Sequence, residues 1–209
     1  MFQDYAVLTG DLVKSGKMVA DLREVQRLLT EIPDEFNKVY VAAIIGKVSL
    51  YRGDGWQLLL NKKELAIRLA LYIKAVLKSE YNVKTRLVIG IGQIDIVVKD
   101  NISASRGEAF ELSGKGLDNL DKNCELKLID RTCDCDSEIS LLDCLIGKQS
   151  ERQSEALRYA LLGYKQDEIA KKLKDKSKTG NITQQTVAAL LKRSCWRTIQ
   201  KLLNKHEHL

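Results

Sequence analysis

The stretch Lys47–Asn61, KVSLYRGDGWQLLLN, decides how this chain must begin to fold. Two apolar runs, Val48–Tyr51 and Trp56–Leu60, flank Gly53-Asp54-Gly55. Glycine accepts the positive φ of a tight turn, so the pattern predicts a hairpin with Asp54 at its tip. A second Gly-Asp pair, Gly10-Asp11, follows the apolar run Tyr5–Leu8 and is expected to form the exit of that strand. With the two strands side by side, Asp11 and Asp54 sit at the same end of one sheet. Two carboxylates there, beside backbone N–H groups left open by Gly10, Gly53 and Gly55, can hold a hard cation and its phosphate ligand. The simpler reading is that each Gly-Asp only turns the chain.

Outward from the hairpin, apolar spacing sets the remaining elements. Upstream, Val19, Leu22, Val25, Leu28, Leu29 and Ile32 recur at helical intervals. Pro33, the only proline, is expected to end this helix or open a second one, in which Phe36, Val39, Tyr40, Ala43 and Ile44 continue the period. Downstream, Leu65, Leu69, Tyr72, Ile73, Val76 and Leu77 mark an amphipathic helix. Arg86–Ile91 reads as a buried strand that resumes through Ile94–Val98. Gly107–Leu120 reads as a helix with two internal glycines suited to close approach, and Leu126–Ile129 as a last strand. The order strand, helix, hairpin, helix, strand, helix, strand implies an α+β sandwich of the ferredoxin-like kind.

The 209 residues are 44% apolar and 30% charged, the balance of a soluble protein. No apolar run approaches the roughly 20 residues that span a bilayer, so no membrane span is expected. The start, MFQDYAVLTGD, lacks a basic segment before its apolar run, which predicts a cytoplasmic protein. Five cysteines form no regular framework. Cys133 and Cys135 make a lone C-x-C, and His206 and His208 are the only histidines. No second ligand pair stands at zinc-site spacing, so reduced thiols are expected. The net charge of +6 is unevenly spread: residues 165–209 carry 11 Lys/Arg against 4 Asp/Glu, leaving 23 against 24 before them. A basic tail on a near-neutral body points to an anionic partner, nucleic acid before membrane.

Strand signals stop near Asp136, which divides the chain into 1–135 and an all-helical 136–209. Helices are expected over Ser137–Ile146, over Glu151–Leu162 with Ser150 as N-cap and Gly163 as stop, and over Gln166–Leu173. Thr183 is expected to cap one long final helix with Val187, Leu190, Leu191, Cys195, Ile199, Leu202 and Leu203 buried. Its exposed turns carry Thr183, Gln184, Gln185, Thr186, Lys192 and Arg193. Gln can pair bidentately with adenine in the major groove while Lys, Arg and Thr hold phosphates. The alternative is a plain helical module with a solvated basic face.

Two resemblances appear at these residues. LGYKQDEIAKKL followed by ITQQTVAALLKR resembles the helix-turn-helix of sigma-factor region 4 and of LuxR-type regulators, over about 50 residues. The segment Lys174–Asn181, with Lys174, Lys176 and Lys178, is longer than the tight turn of that pattern. The segments YAVLTGDLVKS, YRGDGWQLLL, RLVIGIGQ and RGEAFELSGKGLD resemble the SatD family, itself similar to class III nucleotidyl cyclases. The resemblance implies a cyclase-like fold with Asp11 and Asp54 as metal aspartates, binding Mg²⁺ or Mn²⁺ with a nucleotide. The helix positions that steady the transferring phosphate fall on Glu111 and Lys115, and the base-selecting position on Leu50. A carboxylate at 111 repels triphosphate oxygens, and a missing arginine is worth roughly 10³-fold in phosphoryl transfer, so turnover is not expected.

The expected function is a bacterial-type transcription regulator that binds duplex DNA and senses a nucleotide or metal. Its ligand-binding residues are Gly10, Gly53, Gly55 and Lys115 beside the two aspartates. The alternative is a metal-dependent nucleotidyl-transfer enzyme with a localising tail. A homodimer is expected, joined through the sheet or through Trp196, which shares a helical stripe with Gln185, Ala189 and Lys192.

Overall fold

The computed structural model describes residues 3–13, 21–51, 53–176 and 182–208, without the side chains of 174–176. Among them the elements run β1 (Tyr5–Leu12), α1 (Leu22–Val39), β2 (Ile44–Tyr51), β3 (Gly55–Leu60), α2 (Ala66–Tyr81), β4 (Thr85–Gly92), α3 (Glu108–Asp118) and β5 (Leu126–Ile129). The helices α4 (Asp136–Gly147), α5 (Glu151–Leu161), α6 (Gln166–Lys176), α7 (Gln184–Arg193) and α8 (Trp196–Glu207) follow. The strands form one mixed sheet in the order β2-β3-β1-β4-β5. All neighbours are antiparallel except β4 and β5. The fold is α+β.

Alternation along the central strands separates two faces. Ala6, Leu8 and Leu12 of β1, Trp56, Leu58 and Leu60 of β3, and Leu87, Ile89 and Ile91 of β4 enter one large core with α1 and α2. The opposite face carries Val7 and Leu59, covered by Ala109 of α3 and by Ile102.

The helical tail does not stand apart from this core. Leu157 and Leu161 of α5 and Ile199 and Leu203 of α8 belong to the same apolar cluster as the sheet. Tyr40 donates its hydroxyl to the Leu161 carbonyl at 2.8 Å. Arg68 of α2 pairs with Glu207 at 2.5 Å, and Arg158 of α5 pairs with Glu80. Lys74, buried in α2, reaches Glu125 at 3.1 Å and Asp143 of α4 at 3.4 Å. Removing one partner of such a pair strands a charge out of water, so the pairs that reach Glu207, Arg158 and Asp143 fix where the tail sits. A second cluster joins Ala156, Tyr159 and Ala160 of α5, Ile169, Ala170 and Leu173 of α6, and Val187, Leu190 and Leu191 of α7.

Several expected boundaries move. Gly10 and Asp11 lie inside β1, opposite Trp56 and Gly55 of β3 and Leu87 and Arg86 of β4, rather than in an exit turn. Pro33 neither ends α1 nor opens another helix. It sits within α1, buried on the same stripe as Val25, Leu29, Ile32 and Phe36, and that burial outweighs the missing N–H. Ala43 and Ile44 leave the helical period, since β2 begins at Ile44. The expected helix start at Val19 lies outside the described residues.

Ile94–Val98 forms no strand: only an isolated bridge joins Ile96 to Arg106, and Ile96 is 53% exposed. The long final helix is broken at Cys195, whose φ of 55° is left-handed. The break has a packing cause. Val187, Leu190 and Leu191 serve the α5–α6–α7 cluster, whereas Ile199 and Leu203 serve the main core, and the two targets need two axes. Other caps fall where expected. Ser150 and Gln153 form a reciprocal capping box on α5, and Thr183 accepts from the Thr186 N–H. The Lys174–Asn181 segment falls mostly outside the described residues; α6 itself runs to Lys176.

Candidate functional site

The face beneath α3 is polar in its middle. Thr9 of β1 shares a hydrogen bond of 2.8 Å with Ser113 of α3, and Gln57 Nε2 of β3 donates to the Thr9 hydroxyl at 2.8 Å. All three residues are buried. One step further along the strands this stripe opens into a cleft of about 600 Å³ between the sheet and α3. Thr9, Asp11, Asp54, Gln57 and Arg86 line its sheet side, and Gly114, Leu117 and Asp118 of α3 line the other.

Asp11 and Asp54 therefore reach the same cleft, from the end of β1 and from the β2–β3 turn. The Leu12 N–H donates to the Asp54 carbonyl at 3.2 Å, which ties the turn to β1. Arg86, at the start of β4, lies between these acids in function. Its Nε donates to Asp11 Oδ1 at 3.0 Å, and its NH2 group donates to Asp11 Oδ2. This planar, two-pronged contact raises the guanidinium pKa above its ordinary value, against a smaller opposing effect of burial, with Asp54 adding to the rise. The cleft thus carries its own cation on the carboxylate expected to hold a metal. A divalent ion at Asp11 has to share or displace Arg86, while a phosphate entering the cleft meets a fixed guanidinium.

The glycines have different reasons. Gly53 takes φ +81° in the turn, with open space around its Cα, and its carbonyl accepts from Gln26 Nε2 at 2.5 Å. Gly10 and Gly55 line the cleft, but a Cβ on Gly10 would lie 2.5 Å from the Trp56 ring and 2.7 Å from the Arg86 carbonyl. Close packing against the dry core accounts for Gly10. Lys115 does not line the cleft: it is 75% exposed on α3 and pairs with Glu111 at 2.9 Å. That pairing holds the Glu111 carboxyl below the usual carboxylate range. Leu50 lies on β2 opposite Trp56, also away from the cleft.

In the tail, Thr183, Gln184, Gln185, Thr186, Lys192 and Arg193 are all exposed on α7 and its caps. Trp196 is half-buried and packs against both apolar clusters of its own chain.

Sequence reasoning missed three features. Arg86 was legible only as an arginine opening an apolar strand. The Thr9–Gln57–Ser113 cluster needed the register of three elements. His206, far downstream in sequence, converges in space on the C-x-C of Cys133 and Cys135.

Neither the family models nor the curated proteins compared with this chain gave a match. Among solved structures it is similar to a crystal structure of the guanylyl cyclase Cya2. The two are 14% identical with a TM-score of 0.37, over 55% of this chain and 69% of that one. A likeness that distant carries no functional weight. Among the described residues, no helix is long and apolar enough to cross a membrane.

Proposed function

We propose that the chain is a cytoplasmic DNA-binding regulator. In this reading α7 engages duplex DNA, and the cleft under α3 takes a phosphate-bearing ligand, a nucleotide with Mg²⁺ or Mn²⁺. The observation that carries it is the division of α7. Val187, Leu190 and Leu191 bury one side against α5 and α6, while Thr183–Thr186, Lys192 and Arg193 stay exposed on the rest. A helix held from behind with an amide-rich N-terminal turn presents groups that hydrogen-bond base edges, and its basic last turn matches phosphates. The sheet supports the finer, cyclase-like part. Its β2-β3-β1-β4 order, with α1 and α2 as crossovers, is that of a ferredoxin-like sandwich, to which β5 is added.

The test uses the full chain, because α5 and α8 share their core with the sheet. Affinity for random duplex DNA should fall steeply with salt, each neutralised phosphate contributing about −0.9 to the log–log slope. Lys192→Ala and Arg193→Ala should each weaken all sequences alike, and Gln184→Ala or Gln185→Ala should relax preference by about 1–3 kcal/mol at one base pair. Absence of binding at low salt removes this reading.

Nucleotidyl transfer is a second reading, favoured by Asp11 and Asp54 sharing one cleft. The Arg86–Asp11 pair and the outward Glu111–Lys115 pair weigh against turnover. Metal-dependent product from ATP or GTP that is lost in Asp54→Ala would reverse that order.

A further inference from the structure

Cys133 and Cys135 lie on the connection between β5 and α4, and His206 on the last turn of α8. The fold brings their two sulfurs and one imidazole nitrogen within 4.8 Å of one another. Zinc bonds of about 2.3 Å to sulfur and 2.0 Å to nitrogen place tetrahedral ligand atoms roughly 3.5–3.8 Å apart. A contraction of about 1 Å therefore closes the set around one ion. Cys135 is only 6% exposed, and the His206 side chain only 9%.

The surroundings support the imidazole as a ligand. Glu138, in the first turn of α4, engages His206 Nε2 at 2.7 Å, which leaves Nδ1 as the ring nitrogen available to a metal. A carboxylate on the far nitrogen is how metal-bound histidines are commonly oriented. Lys205 holds the other Glu138 oxygen at 2.6 Å, so the carboxylate is itself fixed. Cys133 and His206 also border a cavity of about 310 Å³ that Asp130 and Thr132 line. Asp130 Oδ1 accepts from the Thr132 N–H at 2.8 Å and hydroxyl at 2.7 Å.

We propose that Cys133, Cys135 and His206 bind one thiophilic divalent cation of the zinc class, with the fourth position open to the adjoining cavity. Each thiol gives its proton to solvent as its sulfur coordinates, so two thiolates balance the charge of the ion. The ion joins the end of α8 to the connection leaving β5. This site is separate from the cleft under α3 and does not depend on DNA binding.

Full-length protein, reduced and freed of metal by chelator, is titrated with Co²⁺ as the probe. One equivalent should produce the visible bands of tetrahedral cobalt and a near-ultraviolet thiolate charge-transfer band, both bleached by one equivalent of Zn²⁺. Cys133→Ser and His206→Ala, checked for folding by circular dichroism, should abolish both bands. Glu138→Gln should weaken cobalt affinity about 10–100-fold. Cys124→Ser, Cys144→Ser and Cys195→Ser should change nothing. Absence of the thiolate band in the unmutated protein overturns the proposal, whether or not the variants fold. So do bands that survive in a folded His206→Ala variant, or a Cys133–Cys135 disulfide that persists under reductant.

Discussion

On β1, Ala6, Leu8 and Leu12 enter the core shared with α1 and α2, while Val7, Thr9 and Asp11 turn to the α3 side. The same eight-residue strand supplies both faces. One face is closed by large apolar side chains, with Trp56 fully buried and its indole N–H satisfied by Thr85 at 3.0 Å. The other is closed only as far as Leu59 and Ala109, then becomes a buried hydroxyl–amide cluster, then an open cleft. The difference teaches that the two faces are built from different forces: dry packing on one side of the strands, directional polar contacts on the other.

Three substitutions put that contrast under strain, in falling order of effect. Trp56→Ala removes the largest fully buried side chain and should cost about 3–5 kcal/mol in chemical denaturation. A loss below about 1 kcal/mol would mean that the α1–α2 face is not the stabilising one. Thr9→Val keeps the shape but leaves Gln57 and Ser113 without their shared partner, a cost of about 1–3 kcal/mol. Thr9→Ser should recover most of it, and a neutral Thr9→Val would show that water replaces the hydroxyl there. Asp11→Asn breaks a partly exposed pair with Arg86, and its stability change should stay under about 1 kcal/mol. A larger change would make that pair part of the fold rather than a feature of the cleft.

What could be read in advance follows from the range of the interaction involved. The hairpin, the α1 and α2 stripes, and the Ser150 and Thr183 caps depend on neighbours a few residues away, and periodicity carries that information. Asp11 and Asp54 also came to one cleft, because strand pairing of β1 with β3 was implied by the order of elements. Features that answer to distant packing were hidden. Pro33 is tolerated because its ring is buried, and the break at Cys195 exists because two separate cores pull on one apolar stripe. Ile94–Val98 has strand-like residues, but among the described residues it pairs only through the isolated bridge between Ile96 and Arg106. Arg86 acquires its role from Asp11, 75 residues away, and His206 meets the C-x-C only once α8 has docked.

The buried pair between Arg68 and Glu207 has a consequence for how the chain is made. The partners are 139 residues apart, and the Leu161 carbonyl that Arg68 also contacts lies 93 residues downstream. During synthesis α2 leaves the ribosome long before either arrives. Its outer surface, meant for α5, and its guanidinium, meant for α8, must wait in water for the rest of the polypeptide. A nascent chain halted before residue 207 carries an unfinished apolar surface, the kind of intermediate that chaperones hold and that aggregates without them. Closing the molecule therefore waits for the last helix to emerge.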